Sequence, residues 1–226
     1  AAFYQRVKNF KARGSSGKLH IALDGLPEFP AIPKGSALYS SDMHFIDSME
    51  RMERAYDDWK AGTWSRDPYV DMVIPTISDP TMAPPGKHFM SCFIQYCPYR
   101  IEGRRWTKDE KEAFGQTVID QIANYSPNFK DLILHVEIRT PQDIEDEIGI
   151  TEGNIFHGEL TLDQVLFNRP VPGFAQYRAP VAGLYMCGSS THPGGGVMAA
   201  PGANAAREIL FDLKRPNTVP ENFGDD

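Results

Sequence analysis

Polar and apolar residues alternate along KLHIALD, residues 18–24, which predicts a half-buried β-strand. Three prolines in the following GLPEFPAIPKG then break up regular structure. From Ser41 to Ala61 the apolar residues Phe45, Met49, Met52, Tyr56 and Trp59 recur at helical spacing, and Gly62 stands where a chain commonly leaves a helix. YVDMVIPT (69–76) and HFMSCFIQYCPY (88–99) read as strands, and the second is long and apolar enough to be central. The clearest helix starts after Trp106. Thr107 and Glu110 have the spacing of a capping box, and Phe114, Val118, Ile122 and Tyr125 form its apolar stripe. LILHVEIRT (132–140) is a further strand, after which Thr140 and Pro141 open a short acidic helix that Gly149 ends.

A looser segment leads to LYMCGSSTHPGGGVMAAPGANAAREIL, residues 184–210. Here GLYMCG reads as a buried strand ending at Gly188. A polar turn follows, then three glycines, then an apolar face of Ala205, Ala206, Ile209, Leu210 and Leu213 at helical spacing. Pro201 predicts a kink, or a regular helix that starts only near that residue. Strands and helices mix without strict βαβ alternation, so the expected class is α+β, with a mixed, partly antiparallel sheet and flanking helices. The expected division is residues 1–183 as a substrate-binding type of domain, 184–214 as a strand-turn-helix packed on it, and 215–226 as a tail. GSSGK (14–18) is too short for a phosphate-binding P-loop and reads as a hairpin turn.

Composition narrows the function more than the fold. The 226 residues are 41% hydrophobic and 23% charged, as in an ordinary globular protein, and the net charge of −7 argues against nucleic acid or an anionic membrane as the main partner. Cys92, Cys97 and Cys187 lack CxxC spacing and are expected as reduced thiols in a cytoplasmic or organelle-matrix compartment. On one strand, Cys92 and Cys97 would face opposite sides. Ala1 stands first, which fits methionine removal or trimming, or else a chain that is the back part of something longer.

The glycine turn carries the chemistry. A turn into a helix presents free amides together with the positive end of the helix dipole, which suits phosphate or another electron-rich group. Three glycines in a row remove every Cβ, so that a flat ligand can lie against the backbone. Gly194-x-Gly196-x-x-Ala199 matches the dinucleotide fingerprint, but the expected strand stops six residues earlier and no further strand follows. A turn that merely lets a helix pack on a sheet is the competing reading.

The segment from Gly183 to Leu210 resembles the C-terminal flavin motif of the phytoene desaturase-like FAD-dependent oxidoreductases, in their phytoene dehydrogenase-related branch. The likeness extends through TWSRDPYVDMVIPTISDPTMAPPGKH, GNIFHGELTLDQ and RPVPGFAQYRAPVAGLY, most of the chain. The resemblance implies an FAD enzyme in which an N-terminal Rossmann unit holds the ADP half and a middle domain covers the substrate. It places Gly188 and Ser189 near the ribityl-pyrophosphate section, His192 beside the cofactor, and Ser190 and Gly194 among the cofactor-binding residues. Gly195, Gly196, Val197 and Met198 would place backbone amides at the pyrimidine edge of the isoalloxazine. Related flavin oxidases often have an acid just after the glycine, where this chain has Ser189. It also implies an apolar or amphiphilic substrate and a Rossmann-type FAD-binding unit supplied from outside this sequence. With that unit missing, FAD binding by the chain alone is expected to be weak or absent and the isolated chain inactive. A homo-oligomer is left open. The alternative is a non-catalytic binding or assembly module with the substrate-domain fold.

His157 in NIFHGEL is the candidate catalytic residue, a proton donor or polar anchor, against the plainer reading of a buried histidine bonded to backbone. The remaining histidines show no metal-ligand spacing. HPGGG is similar to the HGGG oxyanion loop of esterases, yet the chain has no GxSxG nucleophile elbow. Tyr56, Trp59, Trp64, Tyr96 and Trp106 could line an apolar pocket, though core packing is the preferred account.

Overall fold

The computed structural model describes residues 2–214; the expected tail at 215–226 lies outside them. In chain order the helices and strands are α1 (Ala2–Lys8), β1 (Ser16–Leu23), β2 (Met43–His44), α2 (Met49–Lys60), β3 (Tyr69–Val73), β4 (His88–Gln95), α3 (Lys108–Ala123), β5 (Ile133–Arg139), α4 (Pro141–Ile148) and α5 (Ala200–Asp212). They fall into two compact units. One runs from Arg13 to Asn154; the other joins the segment up to Ala12 to the chain from Ile155 onward. This division differs from the one expected at 183/184, because residues 155–183 cluster with the glycine turn that follows them.

The Arg13–Asn154 unit is α+β, as the mixed order of elements implied. Its five strands form one sheet in the order β2-β3-β4-β1-β5, and every pairing is antiparallel. The apolar run in β4 makes it central, flanked by β1 and β3. Alternation sets which side chains face the core: Leu19 and Ile21 of β1 stand opposite Cys92 and Met90 of β4. Helix α3 covers this face with Phe114, Val118 and Ile122, all fully buried. Gly115 permits the close approach, since a Cβ there would come 2.3 Å from Ile138. Both reciprocal bonds of the Thr107–Glu110 capping box form, and Thr140 and Asp143 make a second box at the start of α4.

Three local expectations change. The helix expected from Ser41 starts only after Ser48, whose hydroxyl caps the Arg51 amide, while residues 43–44 pair with β3 instead. GSSGK is no turn: Ser16 and Gly17 already belong to β1, and a Cβ on Gly17 would come 2.7 Å from the Phe114 ring. GLYMCG forms no buried strand. Among the described residues its one bridge pairing is the isolated antiparallel bridge between Arg178 and Tyr185; the Met186 amide donates to the Tyr177 carbonyl (2.8 Å) and the Leu184 carbonyl accepts from the Ala179 amide (3.0 Å), while Leu184 and Cys187 are exposed.

The aromatic set serves packing. Trp59 and Trp106 are buried, with indole nitrogens donating to the carbonyls of Gly14 (3.1 Å) and Pro98 (2.9 Å), and Trp64 stacks on Trp106. Cys92 and Cys97 are both buried in this core despite the expected opposite faces, because Cys97 lies beyond the end of β4. Burial pushes the Cys92 thiol up to about 12 and raises that of Cys97 as well, so neither is a ready thiolate. Among the described residues no helix is long and apolar enough to cross a membrane.

Candidate functional site

The glycine turn lies in the second unit and is built from its polar residues. The Gly188 carbonyl accepts from both the amide (3.0 Å) and the hydroxyl (2.7 Å) of Thr191, which closes a tight turn over Ser189 and Ser190. Thr191 is buried by that closure. Gly194 and Gly196 follow with φ of +127° and +140°, conformations in which a side chain would be strained. Gly195 lies against Phe156, leaving 3.1 Å for a Cβ. Gly196, Val197 and Met198 are exposed, with the Met198 methyl 2.8 Å from where a Cβ on Gly196 would stand. The turn is therefore packed at Gly195 and exposed at Gly196 and Val197.

Helix α5 starts at Ala200, with Pro201 in its first turn, as the proline predicted. No side chain caps this start, and Ala199 enters it with φ of +54°. The expected apolar face is only partly used: Pro201 and Ala205 are buried, whereas Ala206 and Leu213 are exposed. The far end is held by charge. Asp212 accepts two bonds of 2.8 Å from the Arg178 guanidinium and one of 2.7 Å from the Tyr185 hydroxyl. These donors, Arg178 first, hold its carboxyl at about 2.

His192 points to a different environment from that of the three glycines. Its ring stacks on Phe167, with centroids 4.8 Å apart, and its carbonyl accepts from the Tyr177 hydroxyl at 3.0 Å. The same hydroxyl accepts from the Asn204 amide at 2.9 Å, so it links the turn to α5. Phe167, Tyr177, His192 and Asn204 line a cavity of about 500 Å³ with Arg207 and Glu208. The Nδ1 atom of His192 is shielded and has no partner.

His157 is exposed, with φ of +57°, so it is not the backbone-bonded buried histidine of the plainer reading. Its neighbours matter more. The carbonyls of Phe156 and Gly158 converge with that of Ser189 on Arg169, a residue that no sequence motif singled out. A signal was present, for Arg169 is the only charged residue between Val165 and Gln176. Burial pushes its guanidinium down from its ordinary value. The structure thus gathers Ser189, Gly194 and Gly195 around Arg169 and the 156–158 segment, and turns His192 toward Phe167 and Tyr177. An added Cβ on Gly188 would meet nothing within 4 Å. Among the described residues no histidine, cysteine and carboxylate cluster could hold a metal ion.

Comparison with known proteins finds the chain similar to parts of proteins named as oxidoreductases, dehydrogenases and phytoene desaturases. It is 41% identical over 220 residues to pyridine nucleotide-disulfide oxidoreductase domain-containing protein 2 of Rattus norvegicus, a match covering 94% of this chain and 38% of that protein. A limonene dehydrogenase component from Castellaniella defragrans is 27% identical over 205 residues, 86% of this chain and 36% of that one. The lycopene-forming phytoene desaturase of Pseudescherichia vulneris is 29% identical over 143 residues, covering 62% and 27%. No family model matches the chain. The chain spans about 38% of the length of the mammalian relative that it matches.

Proposed function

We propose that the chain supplies the flavin-contacting turn and the substrate-covering portion of an FAD-dependent oxidoreductase. One observation carries this reading: the glycine turn is packed at Gly195 and exposed at Gly196 and Val197, at the start of a helix that no side chain caps. Such a start offers free amides and the positive end of a dipole to an electron-rich edge. A flat group suits the turn because Gly196 presents no side chain and Val197 is exposed beside it, the Met198 methyl over Gly196 being the free end of a flexible side chain. In this reading Gly195, Gly196, Val197 and Met198 hold the pyrimidine edge of the isoalloxazine, with Gly188, Ser189, Ser190 and Gly194 shaping the turn that presents them. His192 positions the turn through its carbonyl bond to Tyr177.

Bound FAD supplies the acceptor, flavin N5, for hydride from a substrate C–H bond. The chain's own residues bind, orient and exclude water. The substrate is a small apolar or amphiphilic molecule, and a Rossmann-type unit holds the rest of the cofactor. Exposed His157 is available to a substrate as proton donor or polar anchor.

The test uses the full product of the reading frame that contains this sequence, read by visible absorption after purification and after added FAD. The expected result is a flavin spectrum that Gly196→Trp abolishes. Colourless protein that FAD cannot colour, or equal loading in the variant, overturns the proposal; the first outcome leaves a non-catalytic module.

A further inference from the structure

Arg169 has the largest fully buried side chain of the described residues, at 0% exposure. Its partners are three backbone carbonyls. Nη1 donates to Phe156 (3.2 Å) and Ser189 (3.0 Å), and Nη2 donates to Gly158 (2.7 Å). The guanidinium carbon stands 5.6 Å from the centre of the Phe10 ring, so one face of the cation rests on an aromatic. No carboxylate among the described residues forms an ion pair with it, and Nε has no partner.

The surroundings are shaped to this group. A Cβ on Gly158 would come 2.6 Å from Nη2, and one on Gly194 would come 3.2 Å from Nη1. Both glycines have positive φ, so each is suited by conformation as well as by space. A buried charge with only neutral acceptors carries a desolvation cost that an apolar side chain of similar length would avoid. That arrangement is useful where a planar fork must hold several acceptors at fixed angles, which lysine cannot do. Here the acceptors come from two chain segments, 156–158 and the start of the glycine turn.

We propose that Arg169 is the positioning residue of the glycine turn, a buried guanidinium that pins Ser189 to the 156–158 segment, packs beside Gly194 and sets the shape the turn presents to its ligand. The pin also places a buried positive charge beside Ser189 and Gly194 in the turn. It therefore adds to the field of the α5 start for an electron-rich ligand. The ligand itself rests on the flavin reading given above; the pin does not.

Amide hydrogen exchange on the chain without cofactor tests the pin. Losing charge-assisted bonds of this kind corresponds to about tenfold or more in a local opening equilibrium. In Arg169→Met, exchange across 156–158 and 188–196 should rise at least about tenfold while β1 and β4 are unchanged, and Arg169→Lys should recover part of the protection. A residue that merely fills space would not give this local pattern with partial rescue. Unchanged rates in both segments of Arg169→Met overturn the proposal. If that variant does not fold, Gly194→Ala keeps the guanidinium but crowds it, and should speed exchange in the same two segments; unchanged rates again overturn it. In the full product, flavin affinity should fall about tenfold or more in Arg169→Met. Wild-type protein that binds no flavin defeats the flavin reading, while the exchange result still decides the role of Arg169.

Discussion

Between Arg13 and Asn154 the large, fully buried side chains are Phe114, Phe129, Leu19, Ile21 and others like them, whereas from Ile155 onward the largest is Arg169. The first unit closes an antiparallel sheet under α3 with apolar side chains in contact, the ordinary source of folding free energy. The second has one long helix, an isolated bridge and many turns. Leu162, Phe167, Val181, Leu184 and Val197, residues that a packed core would enclose, are exposed there. Alongside smaller apolar contacts such as Phe3 on Phe174, its ties include Arg169 to three carbonyls, Tyr177 between His192 and Asn204, and Arg178 to Asp212. Apolar packing tolerates little change of shape, whereas polar ties fix a few loops at chosen points and leave a surface free. The second pattern suits a turn that must be held at some residues and exposed at others.

The largest effect that could break this comparison is in the first unit. Phe114→Ala should cost about 3–5 kcal/mol, by lost transfer energy and the cavity left behind. Denaturant unfolding followed by tryptophan fluorescence reads that unit alone, since Trp59, Trp64 and Trp106 all lie in it. A loss under about 1 kcal/mol would mean the apolar core is not what holds it.

Tyr177→Phe should have an intermediate effect. It removes a hydroxyl and leaves the His192 carbonyl and the Asn204 amide without that partner, for a loss of about 1–3 kcal/mol. Exchange at residues 191–193 and in the first turns of α5 should rise together. A change at only one of them would show that the hydroxyl does not link the turn to the helix.

The smallest expected effect is a response to acid. With the Asp212 carboxyl held at about 2 against an ordinary 3.8, the folded chain binds fewer protons there than the unfolded one between those values. This contribution to stability is complete above pH 3.8 and is lost as pH falls toward 2. Amide shifts at the end of α5 should move over that window, and Asp212→Asn should abolish the movement. The same response in the variant would assign it to another group.

Local signals predicted local structure well. The alternation in β1, the apolar run of β4, and the capping boxes at Thr107 and Thr140 each act through near neighbours, and each element formed where its pattern stood. Pro201 likewise marked the start of α5, because a proline tolerates only the first turn of a helix. Patterns that needed a distant partner misled. Phe45 and Met49 sit at helical spacing, yet pairing with β3 and the Ser48 cap moved the start of α2. GLYMCG has the composition of a buried strand, but among the described residues it pairs only with the short 177–179 stretch through one isolated bridge, and Leu184 and Cys187 stay exposed.

At the candidate site the division is sharper. The order of glycines, the proline and the apolar residues by itself determined that a turn without side chains would open a helix near Pro201, because backbone freedom and the proline ring act within a few residues. Tertiary structure alone decided what holds that turn. Three carbonyls separated along the chain converge on one guanidinium, and the turn's histidine is drawn to Phe167 and Tyr177. Such convergence depends on where distant backbone groups finish in space, which the spacing of residues along the chain does not record.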